Sequence, residues 1–217
     1  MILYDREHAI QRMNTLAKED KDFIFIINYK ADGAYLEEST NIDPHELLFD
    51  FPSLSNVPEG ERYSNEAVEW FTEPPTREDY EPRINLVKQR EREGDSYLAN
   101  LTCKIPIRTN LSLHDIFMRS KALYRCWLKE KFVCFSPEIF VRINKEGLIS
   151  SFPMKGTIDA TRPDAEKELM ENKKEAAEHA TIVDLIRNDL SMIAEQVQVK
   201  RYRYIDHLTT NKGEILQ

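Results

Sequence analysis

Pro153-Met154-Lys155-Gly156-Thr157, followed by the run over residues 163–193 that carries Glu175, Glu178, His179, Asp184, Arg187, Asn188 and Asp189, is the stretch from which the rest of the chain is read. Pro153 stiffens the approach to Lys155, and Gly156 lets a backbone or ligand come close. The run after Pro163 spaces Leu169, Ala176, Ala180, Val183, Ile186, Leu190 and Ile193 as one apolar helical face, so a single long helix packed on a core is expected. Glu175 and Glu178, three apart, share a face of that helix.

Working back from this stretch, Asn144-Lys145-Glu146-Gly147 separates two apolar runs, residues 139–143 and 148–152, and predicts a hairpin. Residues 132–135 read as a buried strand. Ser112-Leu113-His114-Asp115 has the capping-box pattern, so a helix begins there and takes in Ile116, Phe117 and Leu123. Residues 96–104 alternate and predict a strand with a half-polar face. Residues 79–93 predict a helix ending at Gly94, with Pro82 in its first turn. Residues 41–76, broken by Pro44, Pro52, Pro58, Pro74 and Pro75, read as a surface-wrapping segment with at most a short helix at Pro44. The apolar run 23–29 predicts a central strand that turns at Ala31-Asp32-Gly33, and Asp5 caps a helix carrying Ala9, Met13, Leu16 and Ala17. Forward of the long helix, residues 197–202 alternate as a strand. Asn211 to Glu214 form a turn, and Ile215-Leu216-Gln217 begins another strand.

Composition bounds the function. The chain has 217 residues, 41% hydrophobic and 31% charged, with a formal net charge of −8. That length can bury a sizeable core, and dispersed basic residues on an acidic chain do not make a nucleic-acid footprint. No apolar run approaches a membrane span, and the first residues lack the pattern of a secretory leader. Cys103, Cys126 and Cys134 form no C-x-x-C pair and read as reduced, buried thiols. A cytoplasmic protein without nucleic-acid or membrane partners is expected.

Each candidate group also has a plainer reading. Lys155 could be a nucleophile if burial depressed its pKa, but a loop lysine is commonplace. Glu138 could be a general acid between two strands, or an exposed turn carboxylate. Glu175 and Glu178 suit a divalent cation that prefers oxygen, yet acidic runs commonly just face water. His207 could line a site or sit satisfied in a core.

Taken in order, however, Ser136-Pro137-Glu138, Pro153-Met154-Lys155-Gly156-Thr157, Glu175-x-x-Glu178-His179 running on through residues 182–190, and His207-Leu208 resemble the chorismate-binding enzyme family. Gly94-Asp95-Ser96-Tyr97 and Asn100-Leu101-Thr102 add to the likeness, which is close from about residue 79 onward. The resemblance implies an α+β fold of facing antiparallel sheets with helices outside, like that of anthranilate synthase component I. It also implies that residues 1–217 are the first part of one domain, with a C-terminal segment and its second pair of metal-binding glutamates lying beyond. Residues 1–217 alone are therefore expected to be inactive.

Within the family, Lys155 resembles the branch that makes aminodeoxychorismate, whereas anthranilate-forming members carry alanine there. Members that add water to chorismate use a lysine where Leu98 stands. The resemblance thus implies Lys155 as nucleophile, Glu138 as acid, and Glu178 with Glu175 as Mg²⁺ ligands. His207, Gly156 and Thr157 would lie at the substrate, chorismate, and a glutamine amidotransferase partner would supply ammonia for a folate precursor. The alternatives are anthranilate synthesis and a non-catalytic binding module.

Overall fold

The structure is a computed structural model that describes every residue except Tyr97, Leu98, Pro137 and Asn211. The positions read above at Tyr97, Leu98 and Pro137, and the start of the turn at Asn211, lie outside the described residues.

Strand β1 (Ile2–Asp5) runs into helix α1 (Arg6–Lys18), where the Asp5 carboxylate accepts from the His8 amide and closes the first turn. Strands β2 (Phe23–Ile27) and β3 (Gly33–Glu38) make an antiparallel hairpin, and the sheet order is β1-β3-β2. The sequence places the run 23–29 at a sheet centre, but β2 is an edge strand with Phe25 and Ile27 half exposed. The centre is β3, because β1 returns to pair with its free side.

A second correction concerns residues 41–76. They contain β4 (Leu47–Phe51), which is fully internal: Leu47, Leu48 and Phe49 have 1% exposure or less. With β5 (Leu54–Ser55), β8 (Tyr124–Leu128) and β9 (Phe132–Ser136) it forms an antiparallel sheet of order β5-β4-β8-β9. Leu47, Phe49, Cys126 and Leu128 turn one face of this sheet toward Ile24, Ile26 and Tyr35 of the first sheet. The opposite face, Leu48 and Trp127, is covered by Phe117, Leu113 and Met118 of α3 (Leu113–Arg119). Two antiparallel sheets thus pack face to face, with α1 and α3 outside, an α+β arrangement. Each fully buried Leu or Phe contributes roughly 1.5–3 kcal/mol, more than the ~1 kcal/mol net of a hydrogen bond, so this interlayer contact dominates the fold.

The capping box of α3 is present in full, Ser112 and Asp115 each bonding the other's amide. The helix stops at Arg119 rather than continuing to Leu123, because the chain must turn into β8. Arg125 fastens that turn: it donates to the carbonyls of Phe117 and Ser120 and pairs with Asp50 on β4. The strand β9, expected to be buried, is an edge with Cys134 and Phe135 exposed.

Strand β6 (Trp70–Thr72) pairs with β7 (Ile107–Thr109) as a separate ribbon. Between them α2 (Arg77–Glu93) ends at Gly94 in the left-handed conformation, as expected, but Pro82 stands in its second turn and no α2 residue is buried. The described part of residues 96–104 is not a strand.

The hairpin β10 (Val141–Ile143) and β11 (Ile149–Ser151) forms around Asn144–Gly147 as expected, with shorter strands and Ile143 opposite Ile149. It leads through the Lys155 loop to β12 (Ile158–Asp159). The single helix expected over residues 163–193 is two, α4 (Ala165–Glu171) and α5 (Lys173–Ser191), parted at Asn172. α5 buries no residue, whereas Ala165 and Leu169 of α4 pack on Leu216. Residues 197–202 are not a strand. The last sheet is β12, β14 (Gly213–Leu216) and β13 (His207–Thr210), with β14 in the middle. Among the described residues, no helix is long and apolar enough to cross a membrane.

Candidate active site

The loop between β11 and β12 delivers Lys155. Ser151 donates to the Phe140 carbonyl at 2.8 Å and Arg142 stacks over the Phe152 ring at 5.7 Å, so the hairpin holds the start of the loop. At Gly156 φ is +82°, the left-handed region, and a Cβ there would lie 2.9 Å from Leu169 and 3.2 Å from Glu175. Only glycine meets both demands without displacing a neighbour.

α5 delivers the carboxylates. Asn172 accepts from the Lys174 and Glu175 amides at 3.0 and 3.2 Å, which starts the helix beside the loop and puts Glu175 against Gly156. One turn on, Glu178 faces Lys155, with Nζ to Oε2 at 4.0 Å. Lys174 reaches the other Glu178 oxygen at 3.2 Å and Glu175 at 3.7 Å. The Lys155 and Glu178 side chains are each 37% exposed and Glu175 is 22% exposed, so the group is wet at its rim and dry at its base.

Glu138 arrives from the other side. Ser136 at the end of β9 donates to the Glu138 carbonyl and accepts from its amide, a tight local knot. Partial burial raises the Glu138 pKa, while the Met154 amide and the Lys155 charge pull it back. Those two causes place the carboxyl beside the loop of Lys155.

Behind Lys155 is a cavity of about 30 Å³ bordered by Met154, Lys155, Glu175, His179, Arg203 and Tyr204. It has room for roughly one water, not for an organic substrate. Its border includes Arg203 and Tyr204, which the sequence reading did not place at a site. Arg203 is anchored by donating to the Met170 carbonyl at 2.7 Å. His179 meets the Tyr202 ring edge-on at 5.5 Å, and burial followed by the Arg203 charge lowers its pKa. No periodicity marks Arg203 or Tyr204; only Lys174 was open to detection, by its i, i+4 relation to Glu178.

At Pro153, His179 and Tyr204 this cavity borders a groove of about 680 Å³ between the β10–β11 hairpin, α5 and residues 193–204. The groove is of substrate size, but Ile149, Val183, Ile186, Leu190, Val197 and Val199 line it. Arg187, Lys200 and Arg201 also border it, so the groove is mixed in character, and Lys155 is not among its lining.

The structure therefore brings together Lys155, Glu138, Gly156, Glu175 and Glu178. Thr157 is exposed at the start of β12. His207 opens β13, 64% exposed, and its imidazole lies 3.9 Å from Glu166 rather than at Lys155. Among the described residues, no three His, Cys, Asp or Glu side chains converge as a metal cluster.

Residues 2–211 match the chorismate binding enzyme family, and the chain belongs to it. A relative from Haemophilus influenzae, named an uncharacterized PabA-like protein, is 42% identical over 97% of this chain and 63% of its own length. Aminodeoxychorismate synthase component 1 of Bacillus subtilis is 27% identical over 67% of this chain and 35% of its own. Anthranilate synthase component 1 of Acetivibrio thermocellus is 29% identical over 64% and 32%. The chain spans under two thirds of the length of these curated relatives. No solved structure matches it significantly.

Proposed function

We propose that the protein is an aminodeoxychorismate synthase, which converts chorismate and ammonia to 4-amino-4-deoxychorismate and water. The observation that carries this reading is the position of Lys155 between Glu138 and Glu178. The neutral Lys155 amine attacks C2 of the ring, both ring double bonds shift by one position toward C4, and the C4–O bond breaks. Glu138, whose pKa is raised by burial, gives its proton to the departing hydroxyl, which leaves as water. Ammonia then adds at C4 and the C2–N bond breaks, returning the lysine. A covalent adduct divides one hard displacement into two easier ones.

Glu175 and Glu178 fit Mg²⁺, which asks the protein for only one or two carboxylates. When bound there, the ion would supply neutralising charge for the ring carboxylate of the substrate. Gly156 lets the Lys155 loop pack closely on Leu169 and Glu175, and Thr157 and His207 are assigned to the periphery of the substrate. A glutamine amidotransferase partner supplies the ammonia. Similarity to both kinds of synthase leaves anthranilate formation as the second reading; the Lys155 amine favours the first.

The test incubates the natural product of this reading frame with chorismate, ammonium and Mg²⁺, then separates products by chromatography and mass. Aminodeoxychorismate that disappears in a Lys155→Ala variant is the expected result. Anthranilate instead, or undiminished turnover in the variant, would remove Lys155 from the role assigned to it. Chorismate binding without turnover would favour a non-catalytic module.

A further inference from the structure

Cys126 and Cys134 stand directly opposite each other on β8 and β9. Opposed residues on antiparallel strands have Cα atoms roughly 4.5–5.5 Å apart, within the span of a disulfide. As register partners, the two side chains share one sheet face, and each is the first cause of the other's pKa shift. Their settings differ. Cys126 is buried in the interlayer core with Phe49 and Leu128, whereas Cys134 is exposed on the edge strand. Neither thiol enters the chemistry proposed for Lys155.

We infer that this pair is a reactive dithiol that takes low-molecular-weight disulfides, with Cys134 as the entry thiol and Cys126 as the resolving one. The Cys134 thiolate attacks one sulfur of the small disulfide, making a mixed disulfide and releasing one small thiolate. Cys126 then loses its proton to solvent base and attacks the Cys134 sulfur, expelling the second small thiolate. Two protein thiols are oxidised to one disulfide while one small disulfide is reduced to two thiols.

The surroundings suit these roles. The neighbouring Cys126 thiol lowers the pKa of Cys134, which favours its thiolate. Cys126 is pushed the opposite way, first by its pairing with Cys134, then by burial and by the neighbouring thiolate. Once Cys134 carries the small thiol, two of those three causes are gone. Closure would staple the sheet edge to its interior.

The experiment exposes the folded protein to oxidised glutathione, blocks remaining thiols by alkylation, and maps tryptic peptides. Cleavage at Lys129 and Lys131 separates the two cysteines, so the bond should link residues 126–129 to residues 132–142. Cys103 should remain alkylated. In Cys126→Ala the glutathione adduct should persist on Cys134, and the alkylation rate of Cys134 should rise with pH at a higher midpoint than in the unsubstituted protein. Circular dichroism establishes that the variant is folded. A stable adduct on Cys134 without closure in the unsubstituted protein, or preferential reaction at Cys103, would overturn the inference.

Discussion

Gly156 and Glu175 are packed so closely that a Cβ on the glycine would lie 3.2 Å from the Glu175 carboxylate, although nineteen positions separate them in the chain. This contact ties the turn holding Lys155 to the helix holding the two glutamates. A Gly156→Ala substitution must displace Leu169 or Glu175 and also force alanine into the left-handed region. A loss of roughly 1–3 kcal/mol is expected in urea denaturation. Ammonia-dependent turnover should fall in the still-folded fraction; a neutral substitution would show that the loop is not held by this contact.

Asn172 starts α5 by accepting from two amides. Asn172→Ala should cost about 1 kcal/mol, while Asn172→Asp, which keeps the acceptor, should restore most of it. Thermal melts of the three proteins decide this. If alanine and aspartate behave alike, the cap is not what begins the helix.

Glu138 has a folded pKa raised by burial, so it contributes no penalty while protonated and an increasing one as it ionises. The associated stability is fully present below the unfolded carboxyl range and is lost as pH rises through the raised folded value. Glu138→Gln cannot ionise. Its stability relative to the unsubstituted protein should therefore improve from acid to neutral pH in denaturant titrations, while turnover falls. A relative loss toward neutral pH would mean the Met154 amide and Lys155 outweigh burial.

Arg125 joins α3 to the central sheet through the Phe117 and Ser120 carbonyls, the Asp50 carboxylate, and the Phe117 ring at 5.1 Å. Truncation strands a half-buried carboxylate and two carbonyls. Arg125→Ala should destabilise by about 3 kcal/mol, with Arg125→Lys recovering only a part because it lacks the planar fork. Chemical denaturation measures both, and a loss below about 1 kcal/mol would place the pair among ordinary surface contacts.

Elements whose ends are written in local chemistry were legible in the sequence. The α1 and α3 starts follow from Asp5 and from Ser112 with Asp115, and the β10–β11 hairpin follows from its turn residues. β4 was not legible, because its apolar run is short and lies between Pro44 and Pro52 in a segment otherwise rich in breakers. Residues 197–202 and the described part of residues 96–104 misled for the opposite reason: alternation predicts a strand only where another strand offers its edge. Asn172 is a comparable trap, since an asparagine inside a periodic run does not announce a break. At the site, the order of motifs named Lys155, Glu138, Glu175 and Glu178, but their meeting depends on Gly156 packing against α5. His179 shares the helix face of Glu175 at i, i+4, whereas Arg203 joins through a backbone path that no spacing rule describes.

The interruption at Asn172 also decides the field in which the glutamates sit. In one uninterrupted helix over residues 163–193, Glu175 would be mid-helix, where peptide dipoles cancel along the axis. Because α5 begins at Lys173, Glu175 lies in its first turn, near amides whose aligned dipoles act as about half a positive charge. Negative charge there is favoured by roughly 0.3–1 kcal/mol. The backbone thus shares with Lys174 the task of holding Glu175, and Lys155 is left facing Glu178 at the wet rim.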